Sequence, residues 1–153
     1  MVIVPEHDPT RGVNVITTKA TPNKITPEIL AHAKEQFKDL LSPLKTPRVA
    51  VLIGGTSKAY EMNEAIMRQL SAQLATLDKE GYGLMVTASR RTGEQNLQIL
   101  MDTMKDSDAF IWDGKTENPY MGFLAWADFI IVTADSASMI SEAITAGKPV
   151  YIP

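Results

Sequence analysis

Val49-Ala50-Val51-Leu52-Ile53-Gly54-Gly55-Thr56-Ser57 is the stretch that decides the fold. An unbroken apolar run of this length, rich in valine and isoleucine, reads as a strand covered on both faces. Gly54-Gly55 ends it. Downstream, Met62, Ala65, Ile66, Leu70, Leu74 and Leu77 recur at helical spacing through Glu80, and Gly81 terminates that helix. The alternation then repeats. Leu84–Thr87 is a strand, and Leu97, Leu100, Met101 and Met104 mark a helix. Ala109–Trp112 is a strand closed by Asp113-Gly114, and Tyr120–Ala127 a short helix. Phe129–Val132 is a strand, Ser138–Ala146 a helix stopped by Gly147, and Pro149–Ile152 a last strand. Strands separated by helices of this length form βαβ units. The fold class expected is therefore α/β, a doubly wound Rossmann-like parallel sheet.

Upstream, Ser42-Pro43 and Thr46-Pro47 break the chain, and residues 45–48 are the best linker candidate. Before them, Thr26-Pro27-Glu28 starts a helix that should run to about Leu41. Val2-Ile3-Val4 and Asn14–Thr18 are short extended pieces, and the Glu6–Gly12 segment between them is loop chemistry. The expected division is residues 1–47 as the end of a first domain with a hinge segment, and residues 48–153 as the Rossmann-like domain. Both ends look truncated, because an open α/β sheet normally covers its strands with further helices.

The 153 residues carry 15 Lys+Arg against 18 Asp+Glu, for a net charge of -3, with no cysteine and two histidines. That balance argues against a general nucleic-acid binder. Without cysteine there is no disulfide, thiolate metal site or cysteine nucleophile, and a histidine-built metal site has little to draw on. No stretch approaches the ~20 apolar residues of a membrane helix, and no signal peptide is visible. The expectation is a cytoplasmic domain of one core, which at this length buries about 70% of its unfolded surface.

Open parallel sheets bind ligands beyond the carboxyl ends of their strands. The loops there are candidates. Gly54, Gly55, Thr56 and Ser57 would let a ligand approach the backbone, with a helix start behind them offering N–H groups; the alternative is a tight turn with Ser57 as a helix cap. Ser89, Arg90, Arg91 and Thr92 suit phosphate oxygens, since each guanidinium is a planar fork of donors; otherwise the arginines face solvent or pair with carboxylates. Asn118 and Tyr120 could read a base edge or stack on a ring, although Asn-Pro is equally a turn initiator. Asp135, Ser136, Ser138 and Met139 crowd a strand end and helix start, where the dipole favours a phosphate. Glu142 could bridge two ribose hydroxyls; the alternative has Ser138 as N-cap and Glu142 as an exposed first-turn acid. His7 and Asp8, adjacent in a loop, could act as a general acid–base pair if another domain brought substrate close, or could serve a structural hydrogen bond.

Val-Pro-Glu-His-Asp, Asn-Val-Ile-Thr, Ile-Gly-Gly-Thr-Ser, Ser-Arg-Arg-Thr-Gly, Asn-Pro-Tyr and Ala-Asp-Ser-Ala-Ser-Met-Ile-Ser-Glu-Ala, ending in Gly-Lys-Pro-Val, occur here in one order. Together they resemble the mitochondrial-fission protein family of plants and its bacterial relatives, which are often labelled predicted nucleoside-diphosphate-sugar epimerases. That family is similar to GT-B glycosyltransferases, especially the one that adds N-acetylglucosamine to the peptidoglycan lipid precursor. The resemblance implies the nucleotide-sugar half of a two-domain enzyme. It places Gly54–Ser57 at the donor phosphates, Glu142 at the donor ribose, and Asn118 and Tyr120 near the nucleobase. His7 and Asp8 would face the cleft from the end of the first domain, which this chain does not supply.

The expected function is thus a nucleotide-sugar-binding domain of a GT-B glycosyltransferase-like protein. It needs no cofactor or metal, with a nucleoside diphosphate sugar as ligand, and is not expected to catalyse without its other half. A nucleoside-diphosphate-sugar epimerase is one alternative, although the GxGxxG fingerprint for bound NAD is missing. A non-enzymatic organelle-fission or membrane-recruitment protein is the other. The expected partners are a small-molecule nucleotide sugar and the missing domain, with no nucleic acid.

Overall fold

The computed structural model describes residues 1–153, and its elements follow the alternation of the sequence. In chain order they are β1 (Val2–Pro5), β2 (Val15–Thr18), α1 (Pro27–Gln36), α2 (Lys38–Leu41), β3 (Arg48–Ile53), α3 (Glu64–Lys79), β4 (Gly83–Ala88), α4 (Glu94–Thr103), β5 (Phe110–Ile111), α5 (Tyr120–Trp126), β6 (Phe129–Val132), α6 (Ala137–Thr145) and β7 (Val150–Tyr151), with a 3-10 turn at Arg90–Thr92. Five strands form one sheet in the order β5-β4-β3-β6-β7, and every pairing is parallel. The chain leaves central β3 toward β4 and β5, then returns to the other side for β6 and β7. This is the doubly wound α/β fold expected.

The period-2 alternation of β3 divides the core between two faces. Ala50 and Leu52 point into one cluster with Phe37, Leu41, Phe123, Leu124 and Ile130. Val49, Val51 and Ile53 point into the other with Met67, Leu70, Leu74, Leu84 and Leu100. Helices α3 and α4 cover the second face; α1, α2, α5 and α6 contribute to the first. With both faces buried, β3 needs apolar residues at every position, which is why its sequence shows no alternation.

Two expectations change. The helix from Thr26 does not run unbroken to Leu41: it ends at Phe37, whose φ of -101° and ψ of 17° leave helical space, and α2 follows as a separate turn. Phe37 thereby turns its ring into the core, 8% exposed, against Gly122 of α5. The strand expected at Ala109–Trp112 keeps only Phe110 and Ile111 in ladder pairing.

Residues 1–47 behave as two parts. The segment from Ile25 to Leu41 packs into the core of the five-stranded domain. Strands β1 and β2 form a separate two-stranded parallel sheet with Val2, Ile3 and Ile16 exposed. The link between the parts runs along α6, where the Thr21 amide donates to Ser141 Oγ at 2.9 Å and Asn23 Nδ2 to Thr145 Oγ1 at 3.0 Å. No helix is long and apolar enough to cross a membrane.

Candidate functional site

Strand order places a switch point between β3 and β6, where the chain departs from β3 in both directions. The crevice there is where such sheets hold ligands. In this chain the polar groups at its centre bond to one another, and a cavity of about 280 Å³ remains open beside Gly55, Thr133 and Asp135. Asp135, just beyond β6, accepts hydrogen bonds from the Gly55 amide at 2.8 Å, Thr133 Oγ1 at 2.6 Å and Arg91 Nη2 at 3.1 Å. Thr133 Oγ1 in turn accepts from the Gly54 amide at 2.8 Å. Thr92 and Ser89 hydroxyls both donate to the Gly54 carbonyl.

The glycine loop is therefore a packing device. A Cβ on Gly54 would overlap the Asp135 carboxylate, and one on Gly55 would overlap the Arg91 carbonyl. Its amides are committed as well: Gly54 to Thr133, Gly55 to Asp135, Thr56 to the Arg91 carbonyl at 3.3 Å and Ser57 to the Tyr60 carbonyl at 2.8 Å. The expected helix start directly behind the loop is corrected too. Helix α3 begins at Glu64 with Asn63 as its cap, and Ser57 Oγ instead accepts from Ala59 and Tyr60 in a local turn. Thr56 Oγ1 accepts from the Met62 amide at 3.2 Å.

The larger open volume lies next door. A cavity of about 630 Å³ sits beyond the carboxyl ends of β4 and β5. It collects side chains from four loops: Ser89 and Arg90 after β4, Trp112 and Asp113 after β5, Asn118 and Tyr120 at the start of α5, and Met139 in the first turn of α6. Glu94 and Leu97 of α4 complete its wall. A pocket of this size, part apolar and part polar, fits a small molecule.

Its charges are mixed. The Arg90 guanidinium is exposed and forms no ion pair, unlike that of Arg91. Glu94 and Asp113 are the opposing carboxylates. Asp113 accepts from the Lys115 and Thr116 amides at 2.9 and 3.3 Å, and these bonds hold its carboxyl below the usual range.

Tyr120 joins the cavity to the last candidate. Its hydroxyl donates to Glu142 Oε2 at 2.5 Å, bridging α5 and α6. Burial first, and then the hydrogen bond to Glu142, push the phenol well above its ordinary range, so it stays a donor. Asn118 Oδ1 accepts the Tyr120 amide at 3.0 Å and fixes the entry to α5. At α6 the N-cap is Ser136, whose Oγ accepts from Met139, rather than Ser138. Ser138 is exposed, and the Ala137 and Ser138 amides have no acceptor within the chain.

The structure thus gathers Ser89, Arg90, Asn118, Tyr120 and Met139 around one cavity, with Glu142 behind Tyr120. It sets Gly54, Gly55, Arg91, Thr92 and Asp135 into a neighbouring packed cluster. His7 and Asp8 line neither. Asp8 accepts from the Thr10 amide at 2.8 Å, and hydrogen bonds from Thr10, side chain before amide, hold its carboxyl below the usual range. Arg11 clasps the carbonyls of Glu6, Asp8 and Thr10, and His7 is exposed. Among the cavity residues that sequence reading passed over are Trp112, Asp113, Glu94 and Leu97. Trp112 closes an apolar run next to Asp113-Gly114, and that position was the signal for it.

The doubly wound domain is similar in fold to part of a solved glycosyltransferase. A solved structure, the glycosyl transferase family 9 protein from Veillonella parvula DSM 2008, superposes with a TM-score of 0.57 over 87% of this chain and 36% of that one, at 12% identity, a likeness of fold alone. The chain itself belongs to the family described as Mitochondrial fission ELM1, which it matches over residues 1–153. It is 34% identical to mitochondrial fission protein ELM1 of Arabidopsis thaliana over 98% of its length and 35% of that protein's. It is 33% identical to the uncharacterised protein RP120 of Rickettsia prowazekii (strain Madrid E), over 96% of its length and 42% of that protein's. The chain thus spans well under half the length of these relatives.

Proposed function

We propose that this chain is the nucleotide-sugar-binding part of a GT-B glycosyltransferase-like protein, acting in the cytoplasm together with the rest of a longer polypeptide. The observation that carries the reading is the 630 Å³ cavity at the β4 and β5 ends, with an unpaired Arg90 at its rim. Leu97, Trp112 and Met139 offer apolar surface to a base. Arg90 and the open amides of α6 offer donors to a diphosphate, and such charge-assisted bonds are the stronger kind. Glu94, Asp113 and Glu142 would repel phosphate but accept from sugar hydroxyls, so the pocket suits the nucleoside end, with phosphate kept near Arg90. Residues 1–20 would belong with the partner half, which explains the exposed apolar residues of β1 and β2.

A second reading has one observation in its favour. Sequence likeness, as opposed to fold likeness, runs to a plant protein named for mitochondrial fission. On that reading the fold serves recruitment, and the cavity is a remnant.

Calorimetric titration of the full-length protein with UDP, GDP and ADP and their sugars separates the two. Saturable binding of one nucleotide, weakened about tenfold or more in Arg90→Ala, supports the donor reading. No binding of any of them favours recruitment.

A further inference from the structure

Helices α3 and α4 cover the β3–β4 half of the second face and leave the β6–β7 half open. The reason is handedness. Crossovers between parallel strands are right-handed, so winding from β3 to β4 and β5 lays helices on one face, and winding from β6 to β7 lays them on the other. Ile130, Val132 and Val150 accordingly pack with Ala143 of α6 on the first face. Phe129, Ile131 and Tyr151 point to the second, where the Tyr151 ring lies 6.3 Å from that of Phe129 and the residue stays 58% exposed.

This open strip is a groove. Three hollows of about 340, 370 and 280 Å³ follow one another beside α3. Leu77 and Ile131 are shared by the first two, and Leu70, Gln73 and Pro153 by the second and third, so the three are continuous. From Leu77 to Ile66 the groove follows about 17 Å of helix, about three turns. Its floor is apolar, and exposed Gln69, Gln73 and Glu80 stand along its rim. An elongated apolar floor with a polar rim suits the apolar stripe of a helix.

Parallel sheets are covered on both faces. On the first face part of the cover, Phe37 and Leu41, comes from α1 and α2, which lie outside the strand–helix alternation of the sheet. The second face needs a counterpart, and the same polypeptide is the natural source. Pro153 itself lines two of the three hollows, so the backbone leaving β7 turns into the groove. The matched part is only 35% and 42% of the two relatives, which hold ample further length for a helix. Glu61 and Glu80 line the groove and form no ion pair within the chain, which favours basic flanks on the occupant.

We propose that the groove seats an amphipathic helix formed by the residues next beyond Pro153 in the longer polypeptide. Its apolar stripe lies on Ile66, Leu70, Ile131 and Tyr151, and its flanks carry Lys or Arg toward Glu61 and Glu80. The assignment goes beyond the nucleotide reading and does not rest on it. Seated there, the helix also covers the hollow beside Gly55, Thr133 and Asp135, and leaves the larger cavity as the open mouth of the sheet.

The test is photo-cross-linking in the full-length protein, with p-benzoylphenylalanine in place of Tyr151 and the adducts mapped by mass spectrometry. The expected adduct joins Tyr151's position to the peptide that directly follows Pro153 in the same chain, with a yield that dilution does not change. Mixing isotopically light and heavy protein identifies the chain of origin. A light–heavy adduct would assign the groove to a second copy and overturn the proposal. An adduct to any other segment of the polypeptide, or reaction with solvent alone, overturns it as well. Should the Tyr151 variant fail to fold, the same probe at exposed Gln73 on the rim gives the same set of readings.

Discussion

Arg91 and Asp135 meet at 3.1 Å across the switch point of the sheet, and they do so unequally: the Asp135 side chain is 3% exposed, that of Arg91 44%. The carboxylate is thus the buried member, and its other partners are the Gly55 amide and the Thr133 hydroxyl. Removing it strands two buried donors; removing the arginine leaves those two bonds intact and lets water reach the carboxylate. Asp135→Ala should therefore cost about 3 kcal/mol and Arg91→Ala about 1 kcal/mol, discounted for exposure. Urea denaturation of both variants checks the order. Equal costs would mean that the ion pair, rather than the hydrogen-bonded carboxylate, carries the cluster.

The same cluster makes a prediction for the glycines. A methyl on Gly55 would collide with the backbone of Arg91 and Thr92, which cannot swing aside as a side chain can. Gly55→Ala should destabilise by about 3 kcal/mol, the upper range for overpacking. Gly114, whose added Cβ would meet nothing within 4 Å, has a φ of 76°, so Gly114→Ala costs only backbone strain, about 1 kcal/mol. Denaturation midpoints for the two separate packing from conformation.

Gly122 offers a third kind of glycine. Its ideal Cβ would sit 2.7 Å from Phe37 Cδ2, so α5 meets the α1–α2 corner with no side chain between them. Gly122→Ala must push Phe37 out of the core, at about 2 kcal/mol. The paired variant Gly122→Ala with Phe37→Leu should cost less than the sum of the two singles, because the smaller side chain leaves room for the methyl.

These clusters also mark how far the sequence could be read. The apolar run 49–53 and the helical spacing from Met62 to Leu77 gave strands, helices and the doubly wound class, because periodicity reports directly which faces are buried. Loop chemistry at the strand ends was legible as composition: Ser89, Arg90, Asn118, Tyr120 and Met139 do gather round one cavity. What composition could not tell was whether a polar group faces a ligand or the protein itself. Gly54-Gly55 and Arg91 have the residue types of an anion site, and in this fold Asp135, some eighty residues away, supplies the anion. The break at Phe37 was out of reach for a similar reason, since it depends on contact with distant Gly122, while the cap at Ser136 rather than Ser138 is a local bond to the Met139 amide that residue type alone permits at either serine.

Tyr120 carries a pH signature. Burial and the Glu142 hydrogen bond raise its phenol above the ordinary value of 10.0. A raised value means that the folded chain keeps a proton which the unfolded chain releases above about pH 10. The stability tied to this proton is whole below that pH and is lost as pH rises toward the folded value. Tyr120→Phe has no such proton. The stability difference between wild type and Tyr120→Phe should be flat from about pH 7 to 9 and shrink above about pH 10. Thermal melts across that range decide, and a difference independent of pH would place Tyr120 in solvent without its partner.

Arg90 and Arg91 are neighbours in sequence with opposite commitments, and this gives the sharpest separation of binding from folding. Arg90 lines the cavity with its guanidinium exposed and forms no ion pair, so Arg90→Ala should leave stability within about 0.5 kcal/mol of wild type. The same change should weaken a bound nucleoside diphosphate about tenfold or more. Arg91, donating to the Thr56 carbonyl at 3.2 Å and to Asp135, should show the reverse, with its larger effect on the denaturation midpoint. Calorimetry and denaturation of both variants in the full-length protein make the comparison. If Arg91→Ala lost the ligand and Arg90→Ala did not, the anion would have to enter at the switch point, displacing Asp135 from the glycine loop, and the cavity beside it would not be the binding site.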